Sequence, residues 1–278
     1  MLSEKNHHKD IRTLPWWTWV VPLLFIEAGD QLSLLFKYSE SFAAFYLPTA
    51  IALVLVHWWG PARVLPSFFI IATLNSAFYG INNTGLWFGF GIAETFSVFL
   101  SWYLFSDRIK GRYWMPDMKH TILFLSTGIF VPVLVEVFSW TYLYLLDGRF
   151  EKSFFWISFS RDLLSELIVS FCVVLPALYF LTPSMESMRL LRIPVDFVGQ
   201  RHSIQKNSIL EIVAIFCILW LLTYLLPFER FWFVYGLFSL YLAIRFGFGM
   251  ALLGNTYLLR FHTLYPSSFR ISVTKPIP

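Results

Sequence analysis

The segment SFSRDLLSELIV, residues 158–169, places three ionisable side chains inside an otherwise apolar run. On a helix, with 100° between successive residues, Arg161, Asp162, Ser165 and Glu166 share one face. Asp162 and Glu166 are one turn apart, so their carboxylates repel unless one is protonated or a cation lies between them. Arg161 is the nearby candidate cation. Such a group of side chains can bind a ligand, pass a proton or hold helices together.

Ionisable side chains recur in other apolar segments of the chain. Glu27 and Asp30, three residues apart, form a second acidic face. A charged side chain at the centre of a membrane helix costs about 2.5 to 3.5 kcal/mol on insertion scales, so it usually faces the interior of a helix bundle. Three interpretations stay open: helix packing, a ligand or signal-binding pocket, and a proton or ion path. The candidates for ligand binding or signal coupling are Asn75, Glu94, Glu136, Arg161, Asp162, Glu166 and Arg245.

The amino-acid composition indicates whether these segments lie in water or in a lipid bilayer. Of the 278 residues, 57% are hydrophobic and 14% are charged, with a mean hydropathy of +0.63. Soluble domains carry about 25% charged residues. A soluble fold of this length could not bury so much apolar surface, and we therefore predict an integral membrane protein.

The apolar segments predict an all-α bundle of about eight transmembrane helices. A helix needs about 20 mostly apolar residues to cross a bilayer. The predicted spans are 14–36, 41–59, 62–80, 85–105, 119–146, 153–182, 207–227 and 230–257. Residues 1–13 are then a cytoplasmic N-terminal segment, 14–257 the transmembrane domain and 258–278 a short cytoplasmic tail. Trp16, Trp17, Trp58 and Trp59 are expected in the aromatic belt at the membrane interface. Gly89 and Gly91 are expected to allow close helix packing.

The basic residues predict the orientation of this bundle. With a cytoplasmic N-terminus, 16 of the 21 Lys and Arg fall on cytoplasmic segments or in the last predicted span and tail. Cytoplasmic loops carry the excess of positive charge in membrane proteins, so both termini are predicted to be cytoplasmic. The basic pI of about 9.0 then reflects topology, and no nucleic-acid partner is expected.

No sequence string indicates an enzyme. The chain has no HExxH, GxSxG or phosphate-binding P-loop string. Cys172 and Cys217 lie in separate apolar runs, which gives neither a disulfide framework nor a metal site. We therefore expect no catalytic residues, no bound metal and no cofactor.

Several segments together carry a family resemblance. The stretch FYLPTAIALVLVHWWGPARVLPSFFIIATLN, residues 45–75, has an aromatic-x-Pro-Thr opening, an apolar helix, a short basic turn, a second proline and a final Asn. An acid, Glu94, lies in the later segment FGFGIAETFSVFLSWYLF, and another, Glu166, lies in LLSELIVSFCVVLP. A late Arg-Phe-Gly lies in LYLAIRFGFGMALLGN. In this order the segments resemble the first membrane-associated sensor family, MASE type one. The positions of the family motif are Pro48, Thr49, Arg63, Pro66 and Gly247.

The resemblance implies a sensory module of the bacterial inner membrane. Such modules usually precede a diguanylate cyclase, a cyclic-di-GMP phosphodiesterase or a histidine kinase, and their signals are poorly defined. This sequence has no Gly-Gly-Asp-Glu-Phe string, no Glu-Ala-Leu string and no kinase histidine box. The expectation is a stand-alone sensor, monomeric or homodimeric, that acts through such a partner, or a truncated remnant of a longer gene. A small ion-coupled transporter, with Arg161, Asp162 and Glu166 binding substrate, is the alternative.

Overall fold

The computed structural model describes residues 11–35, 37–39, 42–43, 46–107 and 122–194, together with residues 213, 214, 217, 218 and 221. The predicted span 230–257 and the tail 258–278 lie outside the described residues, and so do Arg245 and Gly247. Of the predicted span 207–227, only those five residues are described. The chain divides into two compact units, Met1–Val198 and Gly199–Pro278, and the description below concerns the first.

The first unit is helical, as the sequence predicts. Its helices are α1 Val21–Leu35, α2 Pro48–Trp59, α3 Pro61–Asn75, α4 Thr84–Trp102, α5 Val131–Leu146 and α6 Phe155–Ser187. Two wider π-helical segments, Tyr103–Asp107 and Phe124–Phe130, follow α4 and precede α5, and short 3₁₀ turns cover Trp16–Trp19 and Lys152–Phe154. Between α1 and α2, β1 Lys37–Ser39 and β2 Phe42–Ala43 form a small antiparallel pair.

Three helical stretches in the described part are long and apolar enough to cross a membrane: Thr84–Phe105, Phe124–Leu146 and Lys152–Ser187. The first three helices are shorter than the predicted spans 14–36, 41–59 and 62–80, at 15, 12 and 15 residues. Proline at the first helical position explains the late start of α2 at Pro48, because proline has no N–H to contribute to a helix interior. A turn after Asn75 ends α3 early.

Helix α2 lies at the centre of this unit. Ten of its 12 residues are buried, and it packs against α1, α3, α4 and α6. At 1.5 Å per residue it is about 18 Å long, well short of a bilayer core of about 30 Å. Apolar segments of this length are typical of buried core helices rather than of independent membrane spans.

The prediction that Trp58 and Trp59 belong to an interfacial belt is wrong. Both side chains are buried, Trp59 with 2% of its surface exposed. The indole N–H of Trp58 donates to Thr182 Oγ1 at 2.9 Å, and that of Trp59 donates to the Leu190 carbonyl at 3.1 Å. The two rings therefore fasten the end of α2 to α6 and to the chain that follows α6.

Two chain segments close over this end of the unit, and we call them the terminal clasp: residues 11–19 and 190–192. The Arg12 N–H donates to the Arg192 carbonyl at 3.0 Å, and the Arg192 N–H donates to the Trp58 carbonyl at 2.9 Å. The Arg12 guanidinium pairs with Glu186 on α6 at 2.7 Å. The clasp thus joins the start of the described chain to the ends of α2 and α6.

Arg63, at the start of α3, holds the first segment of the terminal clasp. Its guanidinium donates to the carbonyls of Leu14 and Pro15 at 3.1 and 3.0 Å and to Thr18 Oγ1. Replacing Arg63 by Ala removes these donors together, so we expect a loss of about 1 to 2 kcal/mol in the free energy of unfolding. Limited proteolysis should then cut within residues 11–19 several-fold faster than in the wild type.

Two variants control this experiment. Arg63→Lys should not restore protection, because a single ammonium cannot reproduce the fork of guanidinium donors. Lys152→Ala, at an exposed basic residue before α6, should leave the cleavage rate unchanged. Equal cleavage of wild type and Arg63→Ala would contradict a fastening role for Arg63.

Candidate functional site

A polar cavity lies at the end of the bundle opposite the terminal clasp. It is formed by the end of α3 and the turn after it, the first half of α4, the second half of α5 and the first half of α6, with a volume of about 60 Å³. On this measure one water occupies about 10 to 15 Å³, so the cavity has room for about four water-sized groups. Its lining consists of Tyr46, Ala72, Asn75, Ser76, Tyr79, Ile81, Phe90, Glu94, Trp140, Tyr144, Asp162, Ser165 and Glu166.

The lining combines carboxylates with aromatic rings. Glu94, Asp162 and Glu166 contribute acidic groups, and none of the described lining side chains is basic. The rings of Tyr46 and Trp140 meet edge to face with centroids 5.0 Å apart. A wall of this kind offers carboxyl groups, hydroxyl groups and the faces of aromatic rings to whatever occupies the cavity.

The acidic face of α1 reaches the cavity through Asn75. The side-chain amide of Asn75 donates to Glu27 Oε2 at 2.9 Å and to Asp30 Oδ2 at 2.8 Å. The Tyr79 hydroxyl donates to Asp30 Oδ1 at 3.1 Å. Asp30 is almost fully buried, and its two oxygens are satisfied by groups that themselves line the cavity.

Glu94 and Glu136 are buried carboxylates with hydroxyl donors. The Tyr46 hydroxyl donates to Glu94 Oε2 at 2.8 Å. Glu136 has 0% of its surface exposed, and it accepts from Thr49 Oγ1 and Ser97 Oγ, each at 2.6 Å. Since Thr49 is on α2, Ser97 on α4 and Glu136 on α5, this carboxylate joins three helices. Glu136 does not line the cavity and lies behind the wall that Glu94 contributes.

Glu166 differs from the other buried carboxylates. It lines the cavity with 3% of its surface exposed, and its Oε1 has no hydrogen-bond partner. The indole Nε1 of Trp140, also in the lining, is buried without a partner as well. A buried polar atom without a partner costs roughly 1 to 3 kcal/mol. Two residues of the cavity lining thus carry one acceptor and one donor without a described partner.

In the part of the chain that the structure describes, no group of three or more His, Cys, Asp or Glu side chains could hold a metal ion.

No known protein family, curated protein or solved structure matches the chain. The resemblance to the sensor family therefore rests on the sequence motifs described above.

Arg161 does not share the cavity with its neighbours. Asp162, Ser165 and Glu166 line it, but Arg161 does not, and 58% of its side chain is exposed. Its Nε donates to Asp162 Oδ1 at 3.2 Å. On the helical projection Arg161 lies at one edge of the face that it shares with Asp162 and Glu166. The expectation that Arg161 faces the interior with the two carboxylates is therefore wrong.

A different arginine is close to the cavity. Arg149, in the connection between α5 and α6, donates to the Tyr79 carbonyl at 2.9 Å and pairs with Asp147 at 3.0 Å. Its guanidinium lies over the Tyr144 ring, 5.0 Å from the centroid. In the sequence Arg149 is a basic residue between two apolar segments, and nothing in a single sequence pairs it with Tyr79 or Tyr144.

The residues of the family motif occupy structural positions. Pro48 starts α2, Thr49 binds Glu136, and Arg63 holds the terminal clasp. Pro66 lies inside α3 near its start, where its missing N–H disturbs few helical hydrogen bonds. Of the candidates for ligand binding, Asn75, Glu94, Asp162 and Glu166 meet at the cavity.

Sequence reasoning did not single out the aromatic and hydroxyl members of the site. Tyr46, Tyr79, Trp140 and Tyr144 line the cavity, and Ser97 binds Glu136 behind it. In a chain that is 20% aromatic these residue types carry no signal. The sequence offers one usable signal, which is the energetic cost of burying an acid. A buried carboxyl group needs hydrogen-bond donors, and hydroxyl groups are the donors that apolar helices can carry.

Proposed function

We propose that this chain is an integral membrane sensory module whose cavity is the element that a ligand or a membrane condition acts on. The observation that carries the proposal is Glu166, a buried carboxylate with an unpartnered oxygen in the wall of a polar cavity. An occupant that satisfies this oxygen stabilises the arrangement of helices that surrounds it. Differential binding of this kind is what shifts a two-state equilibrium.

Helix α6 provides the connection from the cavity to the terminal clasp. Its 33 residues carry Asp162 and Glu166 at one end and Thr182 and Glu186 at the other. Glu166 and Thr182 are about 24 Å apart along the helix at 1.5 Å per residue. A small rotation or translation of α6 at the cavity therefore changes the contacts with Trp58 and Arg12.

The charge distribution supports an orientation for this module. An N-terminus in the cytoplasm puts the terminal clasp, with Arg12, Arg63 and Arg192, on the cytoplasmic side. The cavity then lies in the outer half of a bacterial inner membrane protein with several spans. The resemblance to the sensor family suggests a partner of the cyclase, phosphodiesterase or kinase type on the cytoplasmic side.

Replacing Glu166 by Gln tests the proposal. In the native bacterium, production of the wild-type chain should change the cyclic-di-GMP concentration or the phosphorylation of a copurifying kinase. Glu166→Gln should reduce this change at least several-fold, because a neutral amide replaces the carboxyl group with which an occupant would pair. Immunoblots of the membrane fraction should show equal amounts of both proteins.

The control is Glu151→Gln, which alters an exposed acid just before α6 and should leave the signal unchanged. If Glu166→Gln only abolishes accumulation, the carboxylate is structural and the proposal fails. Proton-dependent solute uptake into vesicles, with no effect on signalling, would instead favour the ion-coupled transporter. The buried acids on α1, α4, α5 and α6 are the observation that keeps this second candidate in view.

A further inference from the structure

We propose that the cavity binds a small organic amine in its protonated form, and that this amine also carries a neutral hydrogen-bond acceptor such as a hydroxyl group. The inference rests on the proposed function and names the ligand class of the same site. Ethanolamine has the size and the groups that the cavity calls for, and it serves as the probe.

Charge in the wall favours a cation. Glu94, Asp162 and Glu166 line the cavity, whereas none of the described lining side chains is basic. Arg161 offsets part of the charge of Asp162 from outside the cavity. Glu94 and Glu166 have no described basic partner, so a cationic occupant gains from both of them. An anion or a zwitterion with a carboxylate would find acidic side chains and no basic one in the described lining.

Two unpartnered atoms specify the polar groups of the ligand. Glu166 Oε1 on α6 needs a donor, and Trp140 Nε1 on α5 needs an acceptor. An ammonium group supplies the first and a hydroxyl oxygen supplies the second. A ligand with both groups therefore bridges α5 and α6 and satisfies two buried atoms that otherwise have no partner.

The aromatic wall also fits an ammonium ion. Cations bind over the faces of Trp and Tyr within about 6 Å of the ring centroid. Tyr46, Tyr79, Trp140 and Tyr144 contribute rings to the cavity. The Arg149 guanidinium, which is not part of the lining, lies 5.0 Å from the centroid of Tyr144.

Size and ligand geometry separate an amine from the other cations. A volume of about 60 Å³ accepts about four water-sized groups, which excludes bulky quaternary ammonium compounds. Hard metal ions require six or more oxygen ligands in a defined shell. The described part of the chain holds no cluster of acids able to bind a metal ion, so the aromatic cavity favours a small amine.

The test uses the full chain purified in lipid nanodiscs. Binding of ethanolamine, ethylamine, ethylene glycol and sodium chloride is measured by calorimetry and by the shift in melting temperature. Ethanolamine should bind most tightly, and ethylamine about three- to tenfold more weakly because it leaves Trp140 Nε1 unpartnered. Ethylene glycol, which lacks the charge, and sodium should give no shift beyond that of matched potassium chloride.

Variants assign the two contacts. Glu166→Gln should weaken ethanolamine binding at least tenfold, since a hydrogen bond to a charged group is lost. Trp140→Phe should lower the affinity for ethanolamine to that for ethylamine and leave ethylamine unchanged. Glu151→Gln should bind like the wild type. The four ligands are compared on the wild-type chain alone, so this comparison remains a valid test even if a variant fails to fold.

The outcomes separate this inference from the proposed function. Equal binding of ethylene glycol and ethanolamine, or a sodium shift as large as the amine shift, overturns the amine assignment. If signalling depends on Glu166 but the chain binds no amine, the amine assignment is also overturned and the sensory role is retained. Amine binding by a chain whose Glu166→Gln variant signals normally supports the ligand class and removes the sensory role.

Discussion

Glu136→Ala is expected to lower the free energy of unfolding by about 3 kcal/mol. The carboxylate is fully buried and accepts hydrogen bonds from α2 and α4 while its own backbone is in α5. Truncation removes the buried stem, leaves a cavity and deprives the Thr49 hydroxyl of its acceptor, whereas the Ser97 hydroxyl must turn to another acceptor. Both hydroxyl residues are almost fully buried, so solvent cannot replace the carboxylate.

Thermal unfolding of the purified chain in detergent, followed by circular dichroism, measures this effect. Glu136→Gln keeps an acceptor oxygen for one hydroxyl and should cost clearly less than Glu136→Ala. Ser97 can fall back on the Glu94 carbonyl, which lies 2.9 Å away, so the double variant Ser97→Ala, Glu136→Ala should be little worse than Glu136→Ala. Wild-type stability in Glu136→Ala would show that the three helices pack without this carboxylate.

Gly91→Ala is expected to destabilise the chain by about 2 kcal/mol. Gly91 is the point at which α4 approaches α3 most tightly. A Cβ there would overlap Thr73 Oγ1 and would lie 3.2 Å from the Phe69 ring. Thr73 is a buried, β-branched residue with few rotamers, so the overlap is relieved only by a change of the Thr73 rotamer in a packed interior or by separation of the two helices. The measurement is the same melting experiment.

A neighbouring glycine and a compensating change control this prediction. Gly89→Ala would place its Cβ 3.0 Å from Leu143 Cδ2, the end of a flexible side chain, and should cost much less. Thr73→Ala removes a hydroxyl that has no partner, and combined with Gly91→Ala it should restore most of the lost stability. Additive losses in the double variant would contradict a direct clash between the two positions.

The positions of the first six helices could be predicted from the sequence, because apolar runs separated by turns and prolines carry that information. The lengths of these helices could not be predicted. Ten of the 12 residues of α2 are buried by helices distant in sequence, and the same apolar run would suit a spanning helix. The burial of Trp58 and Trp59 has a similar cause, since Thr182 and Leu190, which bind them, lie more than 120 residues away.

The acids of the candidate site were predictable for an energetic reason, and their partners were not. A carboxylate in an apolar helix is costly wherever it lies, so Glu94 and Glu166 stand out from the sequence alone. The donors Tyr46 and Ser97 are separated from their acceptors by 48 and 39 positions, and no local pattern links them. Arg161 was misplaced because a helical projection gives angles but not the position of the neighbouring helices.

The hydrogen bonds of the buried acids also impose an order on biosynthesis. Tyr46, Thr49 and Ser97 precede the acids Glu94 and Glu136 that they bind, so α4 and α5 leave the ribosome after their donors. Helix α1 is in the opposite situation, because the donors to Asp30, on Asn75 and Tyr79, are translated more than 40 residues later. Asp30 of the first helix therefore lacks these donors until α3 and the turn after it have been made, whereas Glu27 accepts from Gln31 within the same helix.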